Sequence, residues 1–444
     1  MNPRDVALGH ARETGQSDRE LGLAGQCAGV AGTILALFVA LIATQRLAIS
    51  VSGVPITSSS IVALTLIAAA YRTGFARFHP GRLIAWFCLV VLVAASVAGA
   101  KLAGDAASIP GAAAFVCGTL LLTLEPSRDV AVREACAAAV ARGFLVVGLV
   151  VAVVVGFQWV TQLAHGIYLD PIAWLPEEIL LSGYNTRATV SYGSELARPN
   201  GVLFLEPSIA SQFLGLALIS VYLRRDLRPK IRSLALGILL LGLLLTFSGT
   251  GLIVFGVGWV FAARAFDLAR VTVVAAVCAT LLLTAVGLGS LGNTIVSERV
   301  RESTGSAGSG QARFVLPYQT VLRGGHSPSQ LLFGRGPGSG DVRVSDEFAQ
   351  SGRYMWFNVL LKLYWEYGIL VGLLFCAWLV GMVRRFHKTQ APMGWAILAQ
   401  YLLLTGSLVF AFEPALLVLI AVGAMSPVAP RLRPPALATA PVPA

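Results

Sequence analysis

Charge is scarce in this chain. Of its 444 residues, 12% are Asp, Glu, Lys or Arg while 56% are apolar. A soluble enzyme, a secreted disulfide scaffold and a disordered protein all need a more polar composition, so these classes are excluded. Lysine is nearly missing, with four against 29 arginines. Cysteine is infrequent too, and no CxxC or CxxH spacing occurs, which removes a zinc site or a disulfide framework. Cys27, Cys88, Cys117, Cys136, Cys278 and Cys376 lie in apolar or short basic stretches and read as buried structural thiols. The first 26 residues lack the short apolar stretch and small-residue cleavage site of a signal peptide. Neither an internal repeat nor a nucleotide-binding P-loop is visible.

What the chain does hold is apolar length. At roughly 20 residues per membrane-spanning helix, its apolar side chains suffice for at most about 12 spans. Apolar windows fall near residues 27–45, 54–71, 83–100, 109–124, 143–164, 201–223, 233–247, 250–263, 271–290, 355–383, 393–410 and 412–427. The expected fold is therefore all-α, a polytopic membrane protein with about 12 transmembrane helices in residues 27–427. A cytoplasmic tail (1–26) would precede them and a Pro/Ala-rich cytoplasmic tail (428–444) would follow. Ser248-Gly249-Thr250-Gly251 and Phe412-Glu413-Pro414 read as tight hairpin turns. Residues 125–142 read as a separate amphipathic helix on the cytoplasmic surface.

Orientation follows from the short connections. With both termini in the cytoplasm, 21 of the 33 cations lie inside. The excess charge of +11 is then a signature of topology, and no nucleic-acid partner is implied. Two external (periplasmic) loops are long, residues 165–200 and 291–354. The second carries Arg299, Arg301, Arg313, Arg323, Arg335, Arg343 and Arg353 with no lysine, the first Arg187 and Arg198. Mixed with local acids, these side chains suit a plain solvated loop. Arginine's planar, permanently charged fork also suits a phosphate group at a membrane surface. The run Gly334-Arg335-Gly336-Pro337-Gly338-Ser339-Gly340 allows backbone amides to approach an anion, or is simply a pliable loop. Glu206 stands about one turn inside a span next to Pro207, where a carboxylate is either functional or paired with an arginine. Lys362 and Glu366 are spaced to pair along one helix face, and Glu413 sits at an outer helix end.

Several of these features form an ordered set: Arg198-Pro199-Asn200-Gly201 followed by Glu206-Pro207, a Thr246-x-Ser248-Gly249-Thr250-Gly251 turn, Gln311-Ala312-Arg313, Gly334-x-Gly336, and Phe357-Asn358 followed by Gly368. Over roughly residues 140–385 this order resembles the O-antigen polymerase and ligase superfamily. The Arg-x10-Gly spacing of its polymerases fits Arg313/Gly324 and equally Arg323/Gly334. The ligase branch carries a histidine where this chain has Phe357, and a phenyl ring accepts no proton. His165 and His326, the two external histidines, stand elsewhere. The resemblance thus favours the Wzy-type polymerase branch. It implies a glycosyltransferase that polymerises undecaprenyl-pyrophosphate-linked oligosaccharide at the outer face of the bacterial inner membrane. The product would be O-antigen, capsule or exopolysaccharide. No cofactor and no metal would be needed, and a flippase and a chain-length regulator would be partners. On this reading Arg313, Arg198 and Glu206 are the catalytic candidates, and Arg187, Arg335, Arg323 and Asn358 the substrate-binding ones. A ligase and a lipid-linked oligosaccharide flippase remain the alternatives.

Overall fold

The computed structural model describes residues 3–51, 54–105, 107–181, 183–190, 195–263, 311–325, 327–351, 355–408 and 412–424. The chain is mostly helical. Helix α1 (Pro3–Ala43) leads into a ribbon of β1 (Ala48–Val51) and β2 (Val54–Thr57), then α2 (Ser58–Thr73) and β3 (Ala76–Phe78). Helices α3 (Pro80–Leu102) and α4 (Ile109–Thr119) follow, the latter extended by a 3-10 turn (Leu120–Thr123), and β4 (Leu124–Pro126) closes the excursion by pairing with β3. Then come α5 (Val130–His165), α6 (Pro207–Leu223), α7 (Pro229–Leu245) and α8 (Gly249–Ala263). Beyond residue 310 lie a π-turn (Gln311–Val315), the short helices α9 (Leu316–Arg323), α10 (Pro328–Phe333) and α11 (Ser339–Ser351), and then α12 (Val359–Arg384). The last elements are α13 (Ala391–Ala399), continued by a π-turn (Gln400–Leu404), and α14 (Phe412–Ala424).

A helix occupies every apolar window except 271–290, which lies outside the described residues together with Cys278, Arg299, Arg301, His326, Arg353 and the 428–444 tail. Among the described residues, four helices are long and apolar enough to cross a membrane: Leu23–Ala43, Pro80–Leu102, Val130–His165 and Val359–Arg384. The outward faces are apolar as well. Along α5, Val146, Val150, Val153, Phe157 and Val160 are all at least half exposed and recur at helical spacing, a stripe that water would penalise and lipid tails would accept.

Three expectations change. The fold is not purely helical, since two short antiparallel ribbons cap the helix ends. Residues 125–142 do not form a separate helix: Asp129 caps α5 by accepting from the Ala131 amide at 2.8 Å, and α5 runs unbroken for 36 residues. At 1.5 Å per residue that is about 54 Å, longer than a hydrocarbon core of about 30 Å, so the charged first turns project beyond it. The thiols also divide: Cys136 is buried, but Cys88 and Cys117 face outward.

At the centre stands α6, buried along nearly its whole length and packed by α5, α7 and α8. The connection between α7 and α8 is tight, but its turn falls at Thr246–Phe247 and not at Ser248–Gly251: Gly249, Thr250 and Gly251 already open α8, and both helices pack on α6. Glycine allows the closest crossing: a Cβ on Gly251 would lie 2.2 Å from the Ser211 carbonyl oxygen, and one on Gly215 2.6 Å from that of Gly251.

Segments that the charge pattern assigns to one side do meet one another. Arg46 pairs with Asp170 at 2.6 Å, Gln330 reaches Asp105 at 3.2 Å, and the Ser108 amide donates to Pro337 at 2.8 Å. At the other end of α3, Arg77 pairs with Glu125, and Arg82 donates to the Leu124 carbonyl.

Candidate functional site

A cleft of about 620 Å3, counting the space open to solvent, lies where six separate segments converge on the N-terminus of α6. Its polar lining includes Gln45, Tyr184, Glu206, Gln212, Arg313, Thr405 and Glu413. Glu206 occupies the cap position of α6 in an extended conformation, and Pro207 starts the helix, as its fixed φ and missing amide allow. The Glu206 side chain does not cap. It turns into the cleft, where Oε2 accepts from the Ser208 hydroxyl at 2.9 Å and stands 3.6 Å from Arg313 Nη2.

Arg313 belongs to the π-turn before α9, which is anchored by the Trp356 amide donating to the Ala312 carbonyl at 2.9 Å. Among the described residues it is the single cation lining the cleft. Its side chain is 28% exposed and that of Glu206 19%, so the pair is loose and accessible. Glu413 forms the opposite wall. It lies in the first turn of α14 rather than in a hairpin turn, is buried, and accepts from the Thr405 hydroxyl at 2.7 Å. Tyr184, carried by the 165–200 loop, is held well above the usual phenol range by burial and by the nearby carboxylates of Glu413 and Glu206. It therefore remains a hydrogen-bond donor at neutral pH.

Of the sequence-derived candidates, the structure brings Arg313 and Glu206 together and leaves the others apart. Arg198 donates to the Thr189 carbonyl at 2.8 Å, a bond within its own loop. Arg187 lies exposed over the Tyr168 ring at 5.9 Å. Arg323 is exposed at the end of α9. Asn358 is a buried cap, with Oδ1 accepting from the Leu361 amide at 2.9 Å and Nδ2 donating to the Tyr318 hydroxyl at 3.4 Å. Arg335 stacks on Trp365 at 4.5 Å and donates to the carbonyls of Gly324 and Gly325, each at 2.6 Å.

The glycine run also has an internal task. Helix α12 breaks at Gly368, whose φ of +77° favours glycine, and the Arg335 and Gly336 amides donate at 2.9 Å to the Trp365 and Glu366 carbonyls beside the break. The amides of Gly338 and Gly340 face the Glu366 carboxylate. Lys362, expected to pair with Glu366, instead meets Asp341 at 2.6 Å. The Arg198–Gly201 motif is similarly structural: buried Asn200 accepts from Gln158 Nε2 at 3.2 Å, and the Gly201 amide donates to Gln158 Oε1 at 2.9 Å.

Tyr184, Gln212 and Gln45 escaped the sequence reading, as did Trp356 and the buried Arg46–Asp170 pair. A lone glutamine or tyrosine near a helix end carries no local signal, and only the convergence of distant segments singles them out. No protein-family model matches the chain, and no curated protein matches it.

Proposed function

We propose that this membrane protein is a glycosyltransferase of polymerase type. It would extend undecaprenyl-pyrophosphate-linked oligosaccharide at the outer face of a bacterial inner membrane, passing the bilayer about twelve times with both termini inside. The observation that carries this reading is the loose Arg313–Glu206 pair in an open cleft, at the end of the bundle where the segments assigned outside converge.

In this reaction the acceptor sugar's hydroxyl oxygen attacks the anomeric carbon of the donor glycan. The bond from that carbon to the pyrophosphate oxygen breaks, its electrons leave with the lipid pyrophosphate, and the hydroxyl proton passes to a base. Arg313 is suited to the departing phosphate, because a guanidinium stabilises charge most where water is sparse. Before substrate arrives Glu206 holds it in place. Once phosphate takes over the guanidinium, the carboxylate is freed to orient or deprotonate the acceptor hydroxyl. Phe357, which occupies the ligase histidine's position, is 1% exposed and packs edge-on against Trp365. That packing favours polymerase over ligase.

The test is Arg313→Ala in a strain lacking the native copy. Single-repeat lipid-linked glycan should accumulate while the protein stays in the membrane; normal polymer lengths would refute the assignment. Elongation by purified protein in detergent separates an enzyme from a flippase, which needs a sealed compartment to act.

A further inference from the structure

At the opposite end of α3 from the cleft, a second recess of about 590 Å3, open to solvent, lies between α3 and α12. His79, Arg82, Trp378 and Arg385 supply its polar lining. Arg82 is 8% exposed, and its hydrogen bond there goes to a neutral carbonyl, that of Leu124. Arg385 stands close enough to repel it, and the carboxylate acting on it, Glu125, is already paired with Arg77. The His79 Nε2 atom is 3.7 Å from that same Glu125. Trp378 adds an indole Nε1 that is buried without a hydrogen-bond partner. A buried guanidinium normally faces an anion; here buried Arg82 has a carboxylate that is already engaged, and exposed Arg385 adds a second cation at the rim.

The walls below the arginines are low. Gly81 and Ala85 on α3, and Ala377 and Gly381 on α12, repeat at four-residue spacing and leave a groove running along the helices. Beside it Ile84 and Phe87 are exposed toward the region a bilayer would fill. A free phosphate ion would use the arginines and ignore this groove; a phospholipid would use both.

We propose that this recess binds one anionic phospholipid, with its phosphate between Arg82 and Arg385 and an acyl chain in the small-residue groove. The site is separate from the cleft and does not depend on the glycosyltransferase reading, only on the chain lying in a membrane.

Native mass spectrometry of the full chain in neutral detergent tests it, with phosphatidylglycerol, phosphatidylcholine or inorganic phosphate added. Wild type should retain one phosphatidylglycerol in preference to phosphatidylcholine. Arg385→Gln should weaken that retention about five-fold, since one interfacial cation contributes about that factor, and Arg385→Lys should restore most of it. Ala377→Leu, at an exposed position that fills the groove, should also release the lipid. Equal retention of the two lipids, or retention unchanged in Arg385→Gln, would overturn the proposal. Phosphate binding that survives Ala377→Leu, with lipid binding absent in every form, would overturn the lipid as occupant.

Discussion

The cleft at Glu206 and the glycine run around Arg335 are built from the same residue types and end differently. Each places an arginine beside a helix end. In the cleft the guanidinium of Arg313 meets one carboxylate oxygen at 3.6 Å and faces open space. Around Arg335 two carbonyls and a tryptophan ring occupy the guanidinium, and the loop's amides are bonded to the break in α12. An arginine whose Nη2 is held by two carbonyls of its own chain and whose face lies on a ring is fixed in place as a structural strut, and its buried Nε is out of a ligand's reach. The difference lies in what surrounds each one and cannot be seen in its type or loop.

The sharpest way to break this contrast is catalytic. Arg313→Ala should lower chain elongation by about 100-fold or more, the usual cost of removing a group that stabilises developing charge. Arg335→Ala should leave the elongation rate of folded protein nearly unchanged; equal losses in purified protein would erase the distinction. Stability runs the other way. Gly334→Ala places a Cβ 2.3 Å from the Glu366 carbonyl and demands a left-handed backbone, so detergent-solubilised protein should lose about 3 kcal/mol or more in thermal unfolding.

Smaller effects follow. Arg335→Ala itself should cost about 1–2 kcal/mol through the lost ring contact and hydrogen bonds. Asn358→Ala should cost about 1 kcal/mol as a lost helix cap, with Asn358→Asp retaining most of the stability because the capping oxygen survives; a specific loss of substrate affinity in Asn358→Asp would instead return this residue to the site. At the bottom of the scale, Arg187→Ala, an exposed change, should shift stability by under about 0.5 kcal/mol and leave polymer length unaltered.

Much of the fold was legible along the chain because burial in lipid is a local demand. An apolar run near 83–100 or 143–164 has few alternatives to a helix, and α3 and α5 stand there. Junctions were less legible. Nothing local says that residues 130–142 continue without interruption into α5, or that α12 breaks at Gly368, since a glycine inside an apolar run also occurs in straight helices. Of the candidate site, Arg313 and Glu206 could be named from motif and position. Tyr184, Gln212 and the inward turn of Glu413 could not, because they matter only through neighbours far away in sequence.

The sequence by itself therefore determined the solvent, the helical windows and a short roster of charged residues, all consequences of hydropathy and charge that act over a single turn or span. Tertiary structure alone decided which of those charges remain available. Partnering is a matter of distances between segments that lie from about ten to about a hundred residues apart: Lys362 turned to Asp341, Arg335 to the Gly324 and Gly325 carbonyls, and Arg313 to Glu206 at the mouth of an open cleft.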